Sequence, residues 1–126
     1  MGQRQTSVLI VEDHRDTAEL YALKLRLDGY AVHLAADATT AQVIYERARP
    51  DVVCVDTRLP DRGGREAAAA FAGAGAVVIL LTNDQESYES PPAGVARALL
   101  KSRTTPRELS ATIAGLVEQR SGTSQR

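Results

Sequence analysis

A short apolar run that ends in a carboxylate constrains this chain more than any other feature. Residues 52–55 (Val-Val-Cys-Val) are followed directly by Asp56, and Leu59-Pro60 comes soon after. A continuous apolar run bounded by polar residues is typical of a strand buried in a parallel sheet. Pro60 cannot donate a ladder hydrogen bond and therefore ends the pairing. We expect Asp56 at the carboxyl end of a central strand, the edge where open α/β sheets bind ligands.

Composition indicates one globular domain. Of the 126 residues, 44% are hydrophobic and 25% are charged, which is enough for a hydrophobic core and unlike a disordered segment. We assign residues 1–126 to a single domain, with its core over residues 7–119 and a flexible polar tail over residues 120–126. The net charge of −1 gives no general attraction to nucleic acid or to an anionic membrane.

The single cysteine and the N-terminus bear on location. Cys54 has no partner for an intramolecular disulfide, which favours a reducing, cytoplasmic environment, and its buried strand predicts an inert core residue. The apolar run at residues 8–11 is too short for a signal peptide or a membrane span. Residues 1–6 match the N-myristoylation pattern, which is short and permissive and by itself weak evidence of acylation.

Apolar runs and helical spacing alternate along the chain. Runs closed by polar residues predict five strands, at residues 7–11, 30–34, 52–56, 76–81 and 95–100. Apolar residues at i, i+3, i+4 and i+7 predict helices at residues 16–28 and 37–47, and alanine propensity favours a third at residues 65–72. In the first helix we expect Leu20, Leu23 and Leu27 to widen the buried stripe.

The last helix has the clearest start signal. Thr105 as N-cap, Pro106 at the first helical position and Glu108 two residues later form a capping box. Residues 83–94 contain Pro91-Pro92 and no helical stripe, so the fourth helix is expected to be short or irregular.

Five strands alternating with helices predict an α/β fold, an open doubly wound parallel sheet with helices on both faces. The carboxyl ends of parallel strands share one edge of the sheet, so polar residues at those ends should meet there. His14 comes just after the first strand, and we expect it to be solvent-exposed. The other strand-end residues are Glu12, Asp13, Asp56, Thr82 and Lys101.

These residue types favour phosphoryl chemistry. Three unpaired carboxylates at one edge repel each other, and a hard divalent cation relieves the repulsion. Mg²⁺ is the usual partner of one or two carboxylates together with phosphate oxygens. Lys101 and the Thr82 hydroxyl are then placed to hold the other oxygens of a phosphoryl group. Asp56 would be the nucleophile that forms an aspartyl phosphate, with catalysis mostly by positioning and charge neutralisation.

Over residues 7–119 the chain resembles the response regulator receiver domain of two-component signalling. The resemblance rests on Val-Glu-Asp ending the first strand, Asp56 followed by Leu59-Pro60 and Gly64, and Thr82 and Lys101 ending the fourth and fifth strands. It implies a flavodoxin-like strand order 2-1-3-4-5. It also implies a signalling domain that is no enzyme beyond gaining and losing its own phosphoryl group.

The resemblance implies a role for each residue at the sheet edge. Asp56 accepts phosphate from a histidine kinase or phosphotransfer protein, and Thr82 and Lys101 sense the phosphoryl group. The signal then passes to a downstream protein partner, with no direct nucleic-acid binding and no membrane contact. The implied Mg²⁺ ligands are Glu12, Asp13, Asp56 and the backbone carbonyl of Arg58.

Four departures from the family pattern lie on the side where receivers change shape. Ala98 stands where an aromatic residue is usual, three residues before Lys101, and Ser102 follows that lysine in place of proline. Asn83 is bulkier than the usual alanine or glycine after the switch hydroxyl, and Pro91-Pro92 interrupts the fourth helix. The phosphorylation residues match the family, whereas the usual threonine–aromatic switch is absent.

Three other functions fit the sequence less well. A phosphorylation-independent binding module of the same fold is supported by Ala98, whereas the acids and Lys101 argue against it. An aspartyl-phosphate phosphohydrolase needs an acid two residues after its nucleophile, and Arg58 occupies that place. Nucleotide binding is disfavoured because the Gly-Ala-Gly at residues 73–75 precedes a strand instead of following one.

Overall fold

A parallel sheet forms the centre of the computed structural model, which describes residues 5–124 and the side chains of residues 5–120. The sheet has five strands in the order β2-β1-β3-β4-β5, as the resemblance implied. The strands are β1 (Ser7–Val11), β2 (Ala31–Ala35), β3 (Val52–Asp56), β4 (Val77–Thr82) and β5 (Arg97–Leu100). The helices are α1 (Arg15–Leu27), α2 (Ala38–Ala48), α3 (Gly64–Gly73), α4 (Gln85–Glu89) and α5 (Pro106–Ser124), with a 3₁₀ turn at Lys101–Arg103.

The three inner strands are buried almost completely, as their continuous apolar runs predict. Alternate side chains point to opposite faces, so each face carries its own core. Helices α2 and α3 cover one face, where the rings of Tyr45 and Phe71 pack with centroids 5.0 Å apart. Helices α1 and α5 cover the other face, which includes Leu25 and Ile113. The predicted doubly wound architecture is confirmed.

The outer leucines of α1 correct one prediction. Leu20, Leu23 and Leu27 are 58%, 57% and 74% exposed and do not widen the buried stripe. The residues of α1 that do pack on the sheet are Ala18, Tyr21, Ala22 and Leu25. At 3.6 residues per turn the three leucines lie on the opposite side of the helix, so α1 has two apolar faces and only one meets the core.

The fourth helix is as short as predicted. Helix α4 has five residues, with the Asp84 side chain accepting a hydrogen bond from the Ser87 N–H. Strand β5 begins at Arg97, two residues later than the apolar run suggested, because the chain is still turning at Gly94, whose φ is +89°. That left-handed conformation is one that glycine adopts without strain.

The capping box of α5 is confirmed. The Thr105 N–H donates to Glu108 Oε1 at 2.9 Å, and the Glu108 N–H donates to Thr105 Oγ1 at 3.1 Å. Helix α5 continues to Ser124, so the backbone of the expected tail is helical that far; residues 125–126 lie outside the described residues, and flexibility there stays a prediction. The myristoylation pattern falls largely on residues 1–4, also outside them. Within the described part of the chain, no helix has the length and apolar character needed to span a membrane.

A carboxylate from the loop after β3 caps α2. Asp61 Oδ1 accepts from the Ala38 N–H at 2.9 Å, and Oδ2 accepts from the N–H and the hydroxyl of Thr39 at 2.8 and 2.7 Å. Asp37 is the N-cap proper and accepts from the Thr40 N–H. Two anions therefore satisfy donors at one helix N-terminus, where the helix dipole also favours negative charge.

The Asp61 cap leads to a pH-dependent prediction. The hydroxyl of Thr39 and the backbone N–H groups stabilise the anion and lower the pKa of Asp61 from 3.8 to about 2. The charged cap therefore makes its full contribution to the free energy of unfolding above the ordinary pKa of aspartate. That contribution disappears as the pH falls through about 2. Asp61→Asn should lower the urea midpoint at neutral pH, and the difference from wild type should shrink in acid. A difference that stays constant down to that pH would show that the charge contributes nothing.

Candidate functional site at the sheet edge

The ends of the four strands β1, β3, β4 and β5 meet as predicted. Glu12 follows β1 directly, and its N–H donates to the Ala35 carbonyl at 2.9 Å. Asp56 is the last residue of β3 and Thr82 the last of β4. Lys101 comes immediately after β5 and begins the 3₁₀ turn. All four side chains are thus placed by where the apolar runs stop.

Lys101 connects the two buried carboxylates. Its Nζ lies 2.6 Å from Glu12 Oε1 and 2.8 Å from Asp56 Oδ2. The carboxylate side chains are only 3% and 7% exposed, and the lysine side chain 15%. Burial lowers the pKa of Lys101, but its hydrogen bonds and charge interactions with Asp56 and Glu12 outweigh burial, so the pKa is raised above 10.5. The ammonium group therefore stays protonated at neutral pH.

His14 and Asp13 lie beside Glu12. His14 Nδ1 is 3.2 Å from Glu12 Oε2 and 3.4 Å from Asp13 Oδ1, although 73% of the histidine side chain is exposed as expected. The His14 N–H also donates to Glu12 Oε2 at 2.9 Å. Among the described residues, these three form the one group of acids, histidines or cysteines whose possible metal-binding atoms all lie within 4.8 Å of each other.

The donor chemistry at this edge fits a hard divalent cation. Three carboxylates and one ammonium leave an excess of negative charge, and carboxylate oxygens are the ligands that Mg²⁺ prefers. Asp56 lies outside the 4.8 Å group: its Oδ2 faces Lys101, and its Oδ1 accepts from the Arg58 N–H at 3.1 Å. The predicted role of the Arg58 carbonyl stays a prediction.

Thr82 is fully buried, and its hydroxyl is already engaged. Thr82 Oγ1 accepts from the Asp84 N–H at 2.9 Å and is hydrogen-bonded to Thr57 Oγ1 at 2.8 Å. Sequence reasoning did not single out Thr57, although its place directly after Asp56 was an available signal. A phosphoryl group would have to compete with these partners for the Thr82 hydroxyl.

A cavity of about 240 Å³ opens over Asp56. Its volume is large enough for a phosphoryl group and a few waters, since each water occupies about 30 Å³ in the liquid. Lys101 contributes a positive charge to its wall, and Arg58 also lines it. The lining residues are His14, Asp56, Thr57, Arg58, Asn83 and Lys101.

Gly64 allows α3 to approach this site closely. A Cβ atom at Gly64 would lie 1.9 Å from the Asp56 carbonyl oxygen and 2.5 Å from the Thr57 Cα. The Gly64 N–H donates to the Thr57 carbonyl at 3.0 Å, so the start of α3 rests against the backbone that carries Asp56. Any larger residue would displace one of the two backbones.

We expect Gly64→Ala to lower the free energy of unfolding by about 1–3 kcal/mol, the usual cost of forcing extra atoms into a packed region. Gly63→Ala is the matched control, because the nearest atom to its Cβ would be 3.9 Å away. Gly63→Ala should lower the free energy of unfolding by about 0.5 kcal/mol, since alanine is a poorer N-cap than glycine. Urea unfolding of both variants measures this, and equal effects would show that the close approach does not matter.

Comparisons with known proteins identify the family and the fold of the chain. The family model of the response regulator receiver domain matches residues 8–114. The chain is 41% identical over 63 residues to the probable transcriptional regulatory protein TcrX of Mycobacterium tuberculosis, covering 50% of this chain and 26% of that protein. It is 30% identical over 82 residues to the sensory transduction protein RegX3 of Mycolicibacterium smegmatis, covering 65% and 36%. The chain therefore spans well under half the length of these relatives.

Solved structures share the fold. The receiver domain protein from Methanospirillum hungatei aligns with a TM-score of 0.85 at 23% identity, over 95% of this chain and 99% of that one. The response regulator TrrA from Thermotoga maritima, in complex with Mg²⁺-BeF, aligns with a TM-score of 0.80 at 23% identity, over 89% and 99%. The fold and the strand-end residues define a receiver-type α/β domain. The chain belongs to the response regulator receiver domain family of two-component signalling.

Proposed function

We propose that Asp56 accepts a phosphoryl group in a Mg²⁺-dependent reaction and that the phosphorylated domain signals through protein contacts. One observation carries the proposal: a single ammonium group bridges buried Glu12 and Asp56, and Lys101 and Asp56 both line a cavity. Burying two carboxylates is costly unless they are paired. A purely structural role would be served as well by apolar residues, whereas a phosphoacceptor needs these charges.

In the proposed reaction a carboxylate oxygen of Asp56 forms a bond to phosphorus. The bond from phosphorus to the donor, a phosphohistidine nitrogen or an acyl oxygen, breaks, and the donor leaves with its electron pair. Lys101 moves from a carboxylate to a phosphoryl oxygen, which its position 2.8 Å from Asp56 Oδ2 permits. Thr82 joins it by giving up a present partner. Most of the catalysis is positioning and charge neutralisation.

We assign Mg²⁺ to Glu12, Asp13, Asp56 and the Arg58 carbonyl, where it would neutralise charge on the carboxylates and on the phosphoryl oxygens. The excess negative charge at this edge supports the assignment. The Mg²⁺-BeF complex of TrrA supports it by family likeness alone.

The proposed partners are a histidine kinase or phosphotransfer protein as donor and a separate protein as target, in the cytoplasm. The names of two relatives refer to transcriptional regulation and sensory transduction. This chain matches only 26% and 36% of their lengths. For this chain we propose signalling without direct nucleic-acid or membrane contact. Its chemistry would be limited to gain and loss of its own phosphoryl group.

A phosphorylation-independent binding module is the second candidate. Two observations favour it. The Thr82 hydroxyl already has hydrogen-bond partners, and the small residue Ala98 stands where the usual switch has an aromatic ring. The buried pair of carboxylates around Lys101 favours the first candidate, since a constitutive module would not need it.

Labelling by a small phosphodonor separates the two candidates. We expect the purified protein to be phosphorylated by acetyl phosphate when Mg²⁺ is present, and Asp56→Asn to lower labelling by at least about 100-fold, since the nucleophile is removed. Asp61→Asn is the control, because its carboxylate caps α2. Intact-protein mass spectrometry measures the added phosphate. An unlabelled wild type, or equal labelling of Asp56→Asn, would refute phosphorylation and leave the binding module.

The small residue at position 98 predicts a limited response in β5. Ala98 is partly buried against the core on the α2–α3 face and has no side-chain rotamers to change. On phosphorylation or beryllofluoride binding we expect amide shifts to be large around Asp56, Thr82 and Lys101 and small at Ala98. Nitrogen–proton correlation spectra measure this. Large changes throughout β5 and α5 would contradict the expectation.

A further inference from the structure

A hydrogen bond continues the connection between β4 and β5 past the end of the sheet. The last paired residues of the two strands are Thr82 and Leu100. Just beyond them, the side-chain oxygen of Asn83 accepts from the backbone N–H of Ser102 at 2.8 Å. A side-chain hydrogen bond thus follows the last backbone pair of the two strands. It joins residues that are 19 positions apart in the sequence.

The segment after β5 needs such an anchor. Strand β5 has four residues, lies at the edge of the sheet and pairs with β4 alone. Lys101 then starts the 3₁₀ turn, and its side chain reaches back to both buried carboxylates. On the α1 side the Tyr21 hydroxyl holds the turn by donating to the Thr104 carbonyl at 2.9 Å. Asn83 holds it on the cavity side.

Asn83 is itself well placed to act as an anchor. It follows Thr82, whose hydroxyl is bonded to both Thr57 and the Asp84 N–H. Asp84 in turn caps α4 through the N–H and hydroxyl of Ser87. Asn83 and Lys101 also line the same cavity over Asp56. The hydrogen-bonded end of β4 is therefore joined through one carboxamide to the turn that carries the lysine.

The bond depends on both residue types. Asparagine supplies a carbonyl oxygen that alanine and glycine lack, and Ser102 supplies an N–H that proline lacks. Two of the four positions at which the sequence departs from the family pattern, Asn83 and Ser102, therefore hydrogen-bond to each other. Either departure alone would leave this bond unmade.

We propose that Asn83 is a positioning residue for Lys101: by accepting the Ser102 N–H, it fixes the Lys101–Arg103 turn so that the ammonium group stays between Glu12 and Asp56. The consequence for phosphorylation rests on the proposed function. The consequence for the lysine does not, because the ion pairs join Lys101 directly to Glu12 and Asp56.

Three variants separate the bond from side-chain bulk. Asn83→Leu keeps a similar side-chain volume but has no hydrogen-bond acceptor. Asn83→Ala removes both the acceptor and most of the side-chain volume. Ser102→Ala is the matched control, since it retains the backbone N–H that makes the bond. Acetic anhydride acylation, located by peptide mass spectrometry, reports the accessibility of Lys101. The only other lysine, Lys24 on α1, serves as internal reference.

Without Mg²⁺ or phosphate, we expect both Asn83 variants to raise Lys101 acylation relative to Lys24 by about three- to tenfold, the change that corresponds to one hydrogen bond. Amide exchange at Ser102 should accelerate by a similar factor, and Ser102→Ala should match wild type in both measurements. If the protein is phosphorylated, Asn83→Leu should also slow labelling of Asp56 by about threefold, because the lysine is less well positioned.

An unchanged acylation ratio in Asn83→Leu and Asn83→Ala would overturn the positioning role, even if Ser102 exchange became faster. A change in Ser102→Ala equal to that in the Asn83 variants would also overturn it, because the hydroxyl would then be responsible. If wild type is not labelled by acetyl phosphate but the acylation ratio responds as expected, the proposed function fails and the positioning role of Asn83 stands.

Discussion

The ion pairs of Lys101 with Glu12 and Asp56 set the requirement that the rest of the structure meets. Two carboxylates with almost no exposure to water are costly to bury unless they are paired, and here the ammonium group lies within hydrogen-bond distance of both. The three residues come from the ends of β1, β3 and β5, so the strands must all point the same way and stop at the same level. A parallel sheet with helices on both faces provides this arrangement.

The backbone around Asp56 shows how tightly that requirement is met. Gly64 brings α3 so close to the Asp56 carbonyl that no side chain fits between them. The loop between β3 and α3 is fastened a second time by Asp61, which caps α2 from 22 and 23 residues away. The nucleophile candidate therefore lies on a segment held at both ends, and its carboxylate direction is fixed by Lys101 and the Arg58 N–H.

The strand ends could be predicted from the sequence because a strand buried on both faces is a continuous apolar run, and a polar residue follows where it ends. Sequence reasoning could not choose between the two apolar faces of α1, because helical periodicity is the same for a stripe that packs and one that does not; Leu20, Leu23 and Leu27 were therefore misassigned. It also could not find the Asp61 cap or the Thr57–Thr82 and Asn83–Ser102 bonds. Each joins residues about 20 apart, and only the folded sheet brings them together.

The hydrogen bonds of Thr82 constrain how a change at Asp56 can reach the surface. With alanine at position 98, no large side chain in that place can turn when the Thr82 hydroxyl moves. That hydroxyl accepts the N–H of Asp84, and Asp84 caps α4 through Ser87. A change at Thr82 therefore reaches α4 if it breaks the Asp84 contact or moves Asp84, whereas loss of the Thr57 contact alone leaves the cap in place. Since α4 has only five residues, its cap is one of the few contacts that hold it, together with the Arg65 guanidinium on Ser87 and Ser90. A route through α4 requires hydrogen bonds to rearrange, whereas at position 98 of β5 the chain has no ring that could turn.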